Sequence, residues 1–151
     1  MKKVLIFLLI LCSTSLSAQN DEKAAVQKAV EDFFEGFHAQ DSLKMLTVMA
    51  PTLVMQRIGP DKDGNTVLRT DDYHQFLRNI VGIPKDRNFQ EKIKSYSIQI
   101  DGPMANAWTE YEFWIDGKMS HCGVNSFQLM NDGSGWKMVY LVDTHRKEGC
   151  Q

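Results

Sequence analysis

Residues 105–130 read ANAWTEYEFWIDGKMSHCGVNSFQLM, and two strands joined by a tight turn are written into them. From Ala105 to Ile115, Ala107, Thr109, Tyr111, Phe113 and Ile115 fall on one face of a strand and Trp108, Glu110, Glu112 and Trp114 on the other, because successive strand side chains point to opposite sides. The first set is the more apolar and is the predicted core face. Asp116-Gly117 follows, two positions that tolerate positive φ and so suit a two-residue hairpin. The return strand, Lys118 to Met130, puts His121, Gly123, Asn125, Phe127 and Leu129 on one face, and Phe127 and Leu129 mark that face as inward.

Working outward, Asn131 to Gly135 is a second hairpin loop and Trp136 to Thr144 a last strand. Strict alternation there groups Trp136, Met138, Tyr140 and Val142 against Lys137, Val139, Leu141, Asp143 and His145, both sets largely apolar. Upstream, Tyr96, Ile98 and Ile100 alternate with polar residues before an Asp101-Gly-Pro turn. The first half has a different period. Val26, Val30, Phe33 and Phe37, widened by Ala29 and Phe34, form the stripe of an amphipathic helix over residues 21–39, with Asn20 or Asp21 as its cap. Ser42 is placed to cap a short second helix carrying Leu43, Leu46 and Met49, which Pro51 stops. Leu53 to Ile58 and Thr66 to Arg69 read as short strands. Thr70 can cap a third helix with the stripe Tyr73, Phe76, Leu77, Ile80 and Val81, closed by Gly82 in the left-handed conformation. Helices first and hairpins last predict an α+β domain, helices on one face of an antiparallel sheet.

The chain begins with Lys2 and Lys3, an apolar run from Val4 to Leu11, and small, mostly polar residues to Ala18. That order is a secretory signal, and the run is too short to span a bilayer. Residues 1–18 are therefore expected to be removed, with cleavage after Ser17 as the alternative because Leu16 is bulky for a cut after Ala18, leaving a mature domain over 19–151 that is periplasmic or secreted. Without Lys2 and Lys3, 15 basic residues face 19 acidic ones, a formal charge of −4. Such a surface lacks the basic footprint of a nucleic-acid binder. His38, His74, His121 and His145 come from four different elements with no metal-ligand spacing, and no phosphate loop or nucleophile motif is present, so neither metal nor cofactor is expected.

The element order, with Ile100-Asp-Gly-Pro-Met-Ala before a strand, Phe127-Gln-Leu-Met, Gly135-Trp-Lys-Met-Val and Asp143-Thr-His-Arg, resembles the nuclear transport factor 2-like superfamily, also called cystatin-like, and within it the SnoaL-like and lumazine-binding branches. The lumazine label is a family name and says nothing about this chain's ligand. The resemblance implies a cone-shaped sheet wrapped around the first helix, a pocket between sheet and helices, and a homodimer through the outer sheet face. In its isomerase and cyclase relatives a pocket carboxylate abstracts a proton beside a carbonyl, and in the isomerases a tyrosine on the first helix stabilises the enolate. Here that helix offers Phe33, Phe34, Phe37 and His38, and no tyrosine.

Three functions follow as expectations. The first is an exported small-molecule-binding domain with an apolar or aromatic pocket lined by His121, Asn125, Tyr140 and Trp108. The second is an isomerase-like or cyclase-like enzyme using Glu110 or Asp143 as base, Asp143 otherwise orienting His145 or pairing with Arg146. The third is a structural homodimerisation module. Folding the last hairpin about residues 131–135 brings position 122 opposite 145, close enough for Cys122 and Cys150 to form a disulfide that pins the tail, as export permits; two free, buried thiols are the alternative.

Overall fold

The computed structural model describes residues 2–150, with side chains from Asn20 onward. The expected leader, residues 1–18, lies outside the part described with side chains. The element order is α1 (Lys2–Ala39), α2 (Ser42–Leu46), β1 (Met49–Pro60), β2 (Thr66–Asp71), α3 (Tyr73–Val81), β3 (Phe89–Asp101), β4 (Met104–Ile115), β5 (Lys118–Asn131) and β6 (Trp136–Thr144).

Helix α1 keeps the stripe read from sequence and α3 keeps most of it, with Val81 exposed, but α2 does not: Leu43 and Leu46 are exposed, Met45 is the residue it buries, and Met49 already belongs to β1; the caps differ as well. Val26, Ala29, Val30, Phe33, Phe34 and Phe37 of α1 are all buried. Asn20 and Asp21 lie within α1 and cap nothing. Gln40 ends that helix with a left-handed φ of 56°. Helix α2 is capped by Asp41, whose carboxylate accepts the Lys44 N–H at 3.0 Å, and α3 by Asp72, which accepts the Gln75 N–H at 2.7 Å. In each place a carboxylate beside the expected Ser42 or Thr70 takes the role, the stronger acceptor at the positive end of a helix. Gly82 stays right-handed at φ −78°, so α3 closes without the turn expected there.

The six strands form one sheet in the order β2-β1-β6-β5-β4-β3. Every junction is antiparallel except one: β6, the last strand, lies parallel to β1, the first. Pro51 does not stop a helix. It sits inside β1, where the ladder to β6 is interrupted between Met49 and Val54, and a residue without an N–H is tolerated where pairing lapses. Strand β3 starts at Phe89, well before the alternation visible from Tyr96. An irregularity between Ile93 and Ser95 breaks its period, so Phe89, Glu91 and Ile93 pair with the core-facing positions of β4 before the break, and Tyr96 and Ile98 after it.

A second irregularity governs β6. Leu129 pairs with Met138 and Gln128 with Tyr140, leaving Val139 without an opposite residue. This bulge reverses the facing of everything beyond it. Trp136 and Met138 are buried before it and Leu141 and Asp143 after it. The set Trp136, Met138, Tyr140 and Val142 expected from strict alternation is therefore split.

The concave face of the sheet packs on α1. Phe33 and Phe34 meet Phe127 of β5 edge to face, with ring centroids 6.3 and 6.1 Å apart, and Phe37 meets Phe89 of β3 at 5.1 Å and stacks on Phe76 of α3. Each such ring contributes roughly 2–3 kcal/mol by leaving water. The Trp136 indole N–H donates to Glu22 on α1, tying that helix to β6. At the Asp116-Gly117 turn both residues have positive φ, 49° and 77°, as the hairpin requires.

Gly123 is fixed by a close approach. A Cβ there would lie 1.9 Å from the Thr144 carbonyl oxygen and 2.8 Å from the Tyr111 ring. The space its missing side chain leaves is filled by Tyr111, whose hydroxyl donates to that same carbonyl at 2.9 Å. Beyond it, Cys122 exchanges backbone hydrogen bonds with Arg146, one position past the 145 expected, because the Val139 bulge adds a residue to β6. Cys122 and Cys150 form a disulfide across a separation of 28 residues, their Cα atoms 5.7 Å apart.

Two outcomes test this account. Gly123→Ala should lower unfolding stability by at least about 2 kcal/mol in a denaturant titration, since the added methyl meets backbone that cannot swing away. Reduction of the disulfide should cost about 3.6 kcal/mol by the loop-closure entropy of a 28-residue separation, read as a lower denaturation midpoint with dithiothreitol.

Candidate functional site

Between α1, α3 and the concave sheet lies a cavity of about 270 Å³. Its apolar walls come from both halves of the chain: Phe33, Phe34 and Phe37 of α1, Phe76 and Ile80 of α3, Met55 of β1, Phe113 of β4 and Leu141 of β6. Its polar lining is Gln56, Arg57, Asp71, Glu91, Tyr111, His121, Asn125, Asp143 and His145. An apolar chamber with a few converging polar groups is the usual form of a small-molecule site.

Glu91 and Asn125 form the first polar pair. The buried Asn125 amide donates to the Glu91 carboxylate at 2.7 Å. Burial among aromatic rings pushes the Glu91 carboxyl up to about 7; the Asn125 hydrogen bond and the Arg57 charge oppose that rise, and the Asp143 charge adds to it. The Glu91 backbone N–H donates to His38 Nε2 at 2.9 Å, which occupies that nitrogen's lone pair, and burial lowers the His38 pKa.

Asp143 and Arg57 form the second pair, across the parallel β1–β6 junction. Arg57 Nε donates to both carboxylate oxygens, at 3.2 and 3.1 Å. Burial raises the Asp143 pKa and Arg57 opposes the rise. Asp143 thus pairs with Arg57 and not with Arg146, whose guanidinium turns to the Glu148 and Gly149 carbonyls.

His121 and His145 stack with ring centroids 3.7 Å apart and planes 12° apart. Two imidazolium rings that close would repel, and burial together with this neighbour holds His121 down to about 4. Burial, with the Arg57 charge, lowers His145 as well. Tyr111 commits its hydroxyl proton to the Thr144 carbonyl, and burial raises its pKa further. Near neutral pH the cavity therefore holds the Arg57–Asp143 ion pair, two imidazoles held from protonation and a Glu91 carboxyl balanced between its two states, with the Asp71 carboxyl also on its wall.

Of the residues singled out from sequence, His121, Asn125 and Asp143 meet in this cavity. Trp108 and Tyr140 do not. Trp108 is 49% exposed and Glu110 is exposed, both on the opposite sheet face. Tyr140, turned by the Val139 bulge, hydrogen-bonds Gln56 Oε1 through its hydroxyl. Sequence reading passed over Glu91 and Arg57. The alternation of Phe89, Glu91 and Ile93 with Gln90, Lys92 and Lys94 was the available signal for Glu91; Arg57 had none, because its partner is 86 positions away.

A curved six-stranded sheet closed by N-terminal helices around such a cavity is the nuclear transport factor 2-like, or cystatin-like, fold, and the chain has it. Solved structures show the likeness. A nuclear transport factor 2-like protein of unknown function from Shewanella baltica matches with a TM-score of 0.64 at 17% identity, over 85% of this chain and 96% of that one. A proposed scytalone dehydratase from Novosphingobium aromaticivorans matches at 0.68 and 10% identity, over 90% and 99%. The beta subunit of a proposed aromatic-ring-hydroxylating dioxygenase from the same organism matches at 0.67 and 14%, over 89% and 95%. No protein-family model and no curated protein matches the sequence.

The raised Glu91 carboxyl has a signed consequence. A carboxyl whose folded pKa exceeds its unfolded value stabilises the fold fully below the ordinary value of 4.5, and that contribution disappears as pH rises through about 7. The wild type should therefore lose up to about 3 kcal/mol relative to Glu91→Gln between pH 4 and 8, measured by denaturant melts at stepped pH. Parallel profiles for the two proteins would show that Glu91 titrates normally.

Proposed function

We propose that this is an exported small-molecule-binding domain whose ligand sits in the cavity floored by the α1 phenylalanines, its polar end turned toward the wall that carries Arg57, Glu91, His121, Asn125 and His145. One observation carries this reading: polar groups from β1, β3, β5 and β6 converge on a single chamber whose other walls are aromatic or aliphatic. Similarity to solved proteins of this fold, among them a proposed dehydratase and a hydroxylase-related subunit, supports a ligand-binding or enzyme-like role.

The Cys122–Cys150 bond fits an oxidising compartment. Among the described residues no helix is long and apolar enough to cross a membrane. Removal of residues 1–18 belongs to the same reading. A homodimer through the outer sheet face is supported by the exposure there of Trp108, Met104 and Met130.

A second reading, acid–base catalysis, rests on Glu91. A carboxyl that titrates near neutrality, held by Asn125 inside an apolar chamber, is placed to take or give a proton. This moves the role of base from Glu110 and Asp143 to Glu91, since Glu110 is outside the cavity and Asp143 is engaged by Arg57.

Native mass spectrometry of the exported protein tests the first reading. The expected result is a dimer of chains beginning at Gln19, each two hydrogens lighter than its sequence and retaining a small molecule that Asn125→Leu abolishes. A ligand-free species that also binds nothing from a metabolite extract would remove the binding reading. If a turnover assay is found, Glu91→Gln should remove a kinetic pKa near 7 from the rate profile; a profile unchanged in that variant would end the catalytic reading.

A further inference from the structure

The cavity's polar end lies beside a second space, and the two share lining residues. Arg57 and His145 line both the chamber and an adjoining open cleft of about 570 Å³, whose other charged walls are Arg69, Arg146, Lys147 and Glu148. Four basic side chains and one carboxylate thus line the cleft, and among the described residues Arg57 alone of the four is already paired with a carboxylate, that of Asp143, in a chain whose formal charge is −2. A basic cleft on an acidic chain is a local feature of charge placement, and clefts lined by one sign of charge concentrate ions of the other.

The donors of this cleft are largely unspent. Among the described residues Arg57 uses only Nε, on Asp143, and its two terminal nitrogens make no hydrogen bond. Arg69 spends one terminal nitrogen on the Pro60 carbonyl, and Lys147 makes no side-chain hydrogen bond. Arg146 is held in place by the Glu148 and Gly149 carbonyls, on a segment that the Cys122 backbone and the disulfide fix to the sheet. The guanidiniums are therefore positioned, and positioned guanidiniums suit planar and tetrahedral oxyanions.

We propose that the ligand is an anionic amphiphile, with a carboxylate or phosphate head in this cleft and an apolar body in the aromatic chamber, passing between Arg57 and His145. This rests on the binding reading above and adds the chemical class of the ligand. The chamber alone would accept a neutral molecule; the junction with a cationic cleft selects one that carries an oxyanion at its end.

The test is calorimetric titration of the purified, disulfide-bonded protein with matched probes at low salt: naphthalene-2-carboxylate, octanoate and octyl phosphate against naphthalene-2-methanol and 1-octanol. Acids binding at least about tenfold more tightly than their alcohols, with the difference shrinking as salt is raised, is the expected result. Lys147→Glu, which disturbs no hydrogen bond, should weaken the acids about three- to tenfold and leave the alcohols unchanged, whereas Lys118→Glu, the same charge change on the exposed Asp116-Gly117 hairpin, should alter neither. Acids and alcohols binding equally would overturn the inference and leave the cavity reading standing. Binding of none of the five would overturn both.

Discussion

The extra residue at Val139 is the constraint on which the site depends. Without that bulge, alternation along β6 would carry Leu141, Asp143 and His145 to the outer face of the sheet and bring Tyr140 inward. With it, Leu141 joins the chamber wall, Asp143 meets Arg57 across the parallel junction, and His145 stacks on His121. The bulge also moves Cys122 into register with Arg146, which sets where the tail crosses the sheet and where Cys150 can reach its partner. The break in β3 between Ile93 and Ser95 acts similarly, since it lets Glu91 and Tyr96 both face the concave side. Two irregular residues thus give a curved sheet an inner surface that periodic strands would not present.

The charges in the chamber keep one another in check. Burying Glu91 and Asp143 in aromatic surroundings costs free energy that hydrogen bonds must offset, and each carboxylate has one partner suited to that purpose, a neutral amide for Glu91 and a guanidinium for Asp143. The difference in partner explains their different states. Asp143, facing a full positive charge, stays with its cation, whereas Glu91, facing only a dipole and the distant Arg57, rises to about 7. The stacked imidazoles remain neutral and so present a polar wall with no charge of its own.

Much of the architecture was legible because it is local. The α1 stripe, the hairpin at Asp116-Gly117 and the inward face of β4 are each set by a period or a dipeptide read within a dozen residues. His121 and Asn125 could be placed in the same way, because Phe127 and Leu129 define their face. The rest failed for reasons of range. Nothing near Arg57 or Asp143 announces a partner 86 positions away, and nothing near Met49 announces a parallel neighbour from the far end of the chain. Tyr140 was misplaced by a bulge that alternation cannot see, and Trp108 would line the pocket only if its face of β4 turned inward, whereas half of its indole is in solvent.

The exposed turn at Gly102 divides the chain into two unequal halves, a longer one before it and a shorter one after, and neither half owns the site. The segment before it carries the phenylalanine floor, Arg57 and Glu91; the segment after it carries Tyr111, His121, Asn125, Asp143 and His145. The two short polar links of the chamber, Asn125 to Glu91 and Arg57 to Asp143, each run from one half to the other. Occupancy of the chamber is for that reason a signal of complete assembly: a fragment or a half-folded intermediate has walls but no room, and a ligand that needs both walls clamps the two halves together like a key that holds its own lock shut.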